Sequence, residues 1–114
     1  MFNALSGLSL VAAAYHLLVL IGAIPRIDGS PLRHLVFVGF GIAGAAAFRV
    51  RPRWFPAVFI ILTVQQLHDH GLRAWRWWST DRSLDWLSFV VLITMPVACV
   101  LLVRDALRRR PVGR

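Results

Sequence analysis

The chain has no lysine and no glutamate: its 13 basic residues are all arginine and its five acids all aspartate. Charged residues make up only 16% of the 114 positions, against about a quarter in soluble domains. A water-soluble domain of this size lacks the charge to cover its surface and the volume to hide so much apolar material. One cysteine, Cys99, excludes an internal disulfide and a dithiol redox cycle; it reads as a small packing residue inside an apolar run. There is no Gly-x-Ser-x-Gly elbow and no phosphate-binding glycine loop. Nor do two carboxylates share an apolar stretch: Asp69 is the one acid expected near hydrocarbon.

What is present is apolar. Hydrophobic residues make up 58% of the chain, and they gather in four stretches at about 5–24, 33–48, 54–70 and 84–103. A helix needs about 20 apolar residues to cross the hydrocarbon of a bilayer, with 17 to 25 tolerated. The shorter second stretch is bracketed by Arg33 and Arg49, whose heads can snorkel outward. Backbone groups in lipid must be satisfied within a helix or a closed barrel, and these runs are continuous rather than alternating. The expected fold is an all-α integral membrane protein, a four-transmembrane-helix up-down bundle forming one membrane domain over 1–114. Met1–Leu5 carries no Lys or Arg, which argues against a cleaved signal peptide.

The arginines fix an orientation. Arg49, Arg51 and Arg53 lie between the second and third stretches, and Arg104, Arg108, Arg109, Arg110 and Arg114 follow the fourth. Arg26 and Arg33, then Arg73, Arg76 and Arg82, belong to the other two connections, where Asp28, Asp81 and Asp85 offset them. The positive-inside rule therefore puts both termini in the cytoplasm of a cell inner membrane. The formal charge of +8 is accounted for by the lipid bilayer and its anionic headgroups; no nucleic-acid partner is expected.

Turn chemistry agrees. Pro25 to Pro31 encloses Asp28–Gly29, Pro56 suits a first helical turn, and Pro96 bends the fourth helix. Trp75, Trp77, Trp78 and Trp86 gather at the outer headgroup level, with Trp54 at the inner one. Gly39, Ala43 and Ala47 form one small-residue row and Gly41 and Ala45 another, suited to close helix packing within the bundle or to a homodimer.

Polar groups in lipid are costly and need a reason. The third stretch carries Gln65–Gln66–Leu67–His68–Asp69–His70. At 100° per residue, His68 and His70 lie about 200° apart, whereas Gln66, Asp69, His70 and Arg73 share a face. Those four are the candidate ligand-binding residues. His34 starts the second helix at the same outer end, and His16 is expected about 12 Å deeper. His16, His34, Asp69 and His70 form a candidate metal set for zinc or copper, in which Asp69 ligates or orients an imidazole.

Length and span number are similar to those of small multidrug transporters and small fluoride channels. The first family needs a first-span glutamate and the second its own glycine- and asparagine-containing motifs; neither is present. Three functions remain open. The first is a binding or accessory protein with a His/Asp pocket near its outer face, joining a homo-oligomer or a larger membrane complex. The second is a His-dependent membrane metalloenzyme or oxidoreductase. The third is a small oligomeric transporter.

Overall fold

The computed structural model describes residues 1–25 and 30–109. The expected Asp28–Gly29 turn and the arginines Arg26, Arg110 and Arg114 lie outside them. Four α-helices follow one another: α1 Phe2–Leu20, α2 Pro31–Val50, α3 Phe55–Asp81 and α4 Trp86–Arg108. No strand occurs among the described residues. The chain divides into two compact units, Met1–Pro52 and Arg53–Arg114.

Each boundary has a local cause. α1 stops at Leu20 because Gly22 adopts φ +78°. There Ala23 N–H reaches back to Leu18 O at 2.9 Å and Gly22 N–H to Val19 O at 3.2 Å, a glycine-terminated cap that closes the last carbonyls. α2 starts at Ser30, whose hydroxyl accepts from Arg33 N–H at 3.2 Å, with Pro31 in the first turn. It ends at Arg51, left-handed at φ 52°, with Pro52 preventing continuation. α3 has no side-chain cap but carries Pro56 in its first turn. It runs on through Trp75–Trp78, which the sequence reading placed in a connection. Residues 57–81 contain no proline and one glycine, so nothing breaks the helix before Arg82 turns left-handed at φ 53°. α4 is capped by Asp85, which accepts from Ser88 N–H at 3.3 Å.

In the first unit α1 and α2 pack as an antiparallel hairpin. Ser6 meets Ala45, Ser9 and Ala13 meet Gly41, and His16 meets His34. The contact at Gly41 is backbone-close: a Cβ there would stand 2.7 Å from Ala13 Cβ and 2.8 Å from Ser9 O. Glycine is required because α1 occupies the space a side chain would need. At the far end of this seam the buried Ser6 hydroxyl donates to Ala45 O at 2.9 Å and accepts from Arg49 Nε at 3.3 Å. In the second unit α3 and α4 also pair antiparallel, His70 opposite Ser88 and Arg73 opposite Asp85.

Three helices, α1, α2 and α4, are long and apolar enough to cross a membrane, with mean hydropathies of 1.6, 1.4 and 2.5 over their most apolar 18 residues. Only 17% of each of those windows is buried. Val11, Ile42, Ile61, Ile93 and Val100 all stand more than half exposed. A monomeric protein in water does not leave apolar helices uncovered on this scale. α3 falls outside that group because its second half carries the polar residues and arginines.

Candidate functional site

The polar residues of α3 separate into two sets. Gln65, Gln66, His68 and Asp69 form a network along the helix itself. Gln65 Nε2 donates to Asp69 Oδ2 at 2.9 Å, Gln66 Nε2 to Gln65 Oε1 at 3.0 Å, and His68 Nδ1–H to Asp69 Oδ1 at 3.3 Å. The His68 side chain is 69% exposed. His70 and Arg73 turn the other way, onto the start of α4. The angular separation of His68 from His70 read from the sequence is thus expressed as two different environments.

The second set is a continuous chain of polar contacts. Ser88, fully buried, gives its hydroxyl proton to Asp85 Oδ2 at 2.6 Å. Its oxygen is then the acceptor for His70 Nδ1, 2.9 Å away. That contact assigns the neutral imidazole its Nδ1–H tautomer and leaves the lone pair on Nε2. Arg73 Nε stands 2.7 Å from the same Asp85 oxygen, with the two side chains only 20% and 8% exposed. Asp85 precedes α4. Burial acts to raise its pKa, but the Ser88 hydroxyl, the Ser88 backbone N–H and the positive charge of Arg73 outweigh it, holding the carboxyl below its ordinary value. The carboxylate therefore stays charged, and the Arg73 charge balances it.

Sequence reasoning singled out His70 and Arg73 but neither of their partners. In the sequence Asp85 counts only as a connection charge, and Ser88 is not among the candidates. The pattern Asp85-x-x-Ser88 is the N-cap signature that would have exposed both, because it puts the carboxylate and the hydroxyl at one helix end.

The first unit holds the other two candidate residues. His16 Nδ1 and His34 Nδ1 lie 2.9 Å apart. His16 stacks on Phe37, with ring centroids 5.0 Å apart and planes 18° apart, and the Arg33 guanidinium lies 5.8 Å from the same Phe37 ring. His16 is therefore level with His34, not about 12 Å deeper. The reason is the early stop at Gly22, which leaves His16 about one turn from the end of α1. A 2.9 Å contact between two like nitrogens needs one ring to donate and the other to accept.

Of the expected metal set, His16 and His34 meet within the first unit. Asp69 and His70 belong to the second, where Asp69 joins Gln65 and His68 while His70 joins Ser88. Among the described residues no group of three or more His, Cys, Asp or Glu is arranged to hold a metal ion. Comparison with known proteins gives no matching family model, curated protein or solved structure.

Proposed function

We propose that this is a four-span inner-membrane protein of binding or accessory type, working through the His70–Ser88–Asp85–Arg73 chain at its outer end. The reading takes all four helices as one up-down bundle with both termini cytoplasmic. Three apolar helices support it directly. For α3, Trp54 and Trp75 are 21 residues apart, about 32 Å along a helix, which matches the hydrocarbon thickness. Arg73 then sits at the outer boundary, against Asp85 in the connection that precedes α4.

The observation that carries the functional reading is the half-buried Arg73–Asp85 pair extended through the buried Ser88 to His70. An ion pair withdrawn from water is a poor source of stability, and polar groups at membrane depth are characteristic of function. Arg73 and Asp85 neutralise each other, so the site offers a hydrogen-bonding imidazole without net charge. That suits a polar ligand or a polar segment of a neighbouring membrane protein better than a metal cation.

A photo-activated cross-linker at Leu84, exposed beside Asp85, tests this in native membranes. The proposal expects a discrete adduct that is lost with Asp85→Asn or His70→Ala while the chain remains folded. An adduct indifferent to both variants contradicts it. Stoichiometric zinc, copper or iron in the purified chain, lost with His70→Ala, would also contradict it, in favour of a His-dependent metalloenzyme.

A further inference from the structure

We propose that the outward face of α3 is a seam for a second copy of this chain, held at mid-membrane by Gln65 and His68. Ile61, Val64, Gln65, His68, Leu72 and Trp75 are all exposed. At 100° per residue they fall within about 100° of one another, a single stripe. Ile61, His68 and Trp75 recur every seven residues, as do Val64, Gly71 and Trp78, which is the spacing of a helix–helix seam. Gly71 has nothing within 4 Å of where a Cβ would be, so the stripe also has room for close approach.

Depth makes the stripe informative. Between Trp54 and Trp75, Gln65 falls about 17 Å from one end and about 15 Å from the other, at the middle of the hydrocarbon. His68 is about 10 Å below Trp75. Lipid tails offer no hydrogen bonds, so an exposed amide and imidazole at that depth need protein against them.

The hydrogen-bonding chemistry of the two side chains favours a second copy. Gln65 Nε2 spends one proton on Asp69 Oδ2 and keeps another to donate. His68 gives its Nδ1–H to Asp69 Oδ1, which in the neutral imidazole leaves the Nε2 lone pair as an acceptor. The face therefore presents one donor and one acceptor, three residues apart. Two copies inserted in the same orientation are related by a two-fold axis along the membrane normal. Gln65 of each copy can then donate to His68 of the other across an axial offset of about 4.5 Å, within reach of a glutamine side chain. The two bonds are reciprocal and close the pair. A polar residue at such a seam position also fixes register and copy number.

The test uses the full chain in lipid nanodiscs and liposomes, with single cysteines in a Cys99→Ala background. Ile61→Cys, Leu72→Cys and Trp75→Cys should form cross-links between copies, whereas Leu62→Cys and Leu67→Cys, off the stripe, should not. Gln65→Leu with His68→Leu should weaken association about tenfold, given the modest strength of hydrogen bonds between membrane helices. That variant removes polar surface from lipid, so unfolding of the single copy should be unchanged or slightly harder. Cross-linking confined to the Gly39–Ala43 row of α2, or association indifferent to the double leucine variant, would overturn the seam. The inference rests on α3 crossing the bilayer. Release of the chain from membranes by alkaline carbonate would remove that premise, whereas inserted single copies at every density would remove the seam alone.

Discussion

Arg73 Nε lies 2.7 Å from Asp85 Oδ2, tying α3 to the residue that caps α4. Removing one partner strands the other charge. Asp85→Leu is expected to cost about 3 kcal/mol in denaturant unfolding of the detergent-solubilised chain. Adding Arg73→Met should recover most of that loss, because the stranded guanidinium goes with it. Recovery below a third would mean that the loss comes mainly from the α4 cap and the Ser88 hydroxyl that Asp85 serves, not from the stranded charge.

The same carboxylate predicts a pH dependence. Although burial opposes it, the Ser88 hydrogen bonds and the charge of Arg73 place the folded pKa of Asp85 below its ordinary value of 3.8. The unfolded chain then takes up the proton at a higher pH than the folded one. The stabilisation is complete above the unfolded value and drains away as pH falls through the folded one. Thermal stability should therefore fall on acidification below the ordinary carboxylate range, and Asp85→Asn should flatten that fall. Equal acid sensitivity in both proteins would assign it to other acids.

Gly41 and Gly39 form a matched pair for the α1–α2 seam. A Cβ at Gly41 would meet Ala13 Cβ at 2.7 Å and Ser9 O at 2.8 Å, whereas Gly39 has nothing within 4 Å. Gly41→Ala should cost about 1–3 kcal/mol through overpacking, and Gly41→Leu more. Gly39→Ala should be neutral or stabilising by roughly 0.5 kcal/mol, since alanine is the better helix former. Thermal unfolding of the two alanine variants, compared directly, decides it.

Arg51 holds φ 52° at the end of α2 while its guanidinium lies 5.2 Å from the Phe2 ring. Arg51→Ala and Arg51→Gly both lose that ring contact, so their difference isolates the backbone. The glycine variant should be the more stable by about 1 kcal/mol. Equal unfolding midpoints would show that the left-handed cap is not maintained in solution.

How far these features were readable before the fold was known depended on whether they were local. The apolar runs announce α1, α2 and α4, because helices long and apolar enough to cross a membrane advertise themselves in composition. The length of α3 was hidden, since arginines and tryptophans resemble a connection although none of them breaks a helix. Gly22 was visible as a residue but not as the stop that lifts His16 to the level of His34. His70 and Arg73 could be placed on one face by spacing. Their partners depend on the register between two helices, which is set by packing along the whole hairpin. The close approach at Gly41 agrees with the small-residue row, because a row without side chains is itself a statement about distance.

Cysteine accessibility tests the central claim, that the α3–α4 connection bearing the polar site faces outward while the arginine-rich connection faces the cytoplasm. In a Cys99→Ala background, Asp81→Cys and Arg51→Cys are treated with a membrane-impermeant maleimide on intact cells and again after lysis. The account predicts labelling of position 81 on intact cells and of position 51 only after lysis. Labelling of position 51 from outside, with position 81 protected until lysis, would contradict it.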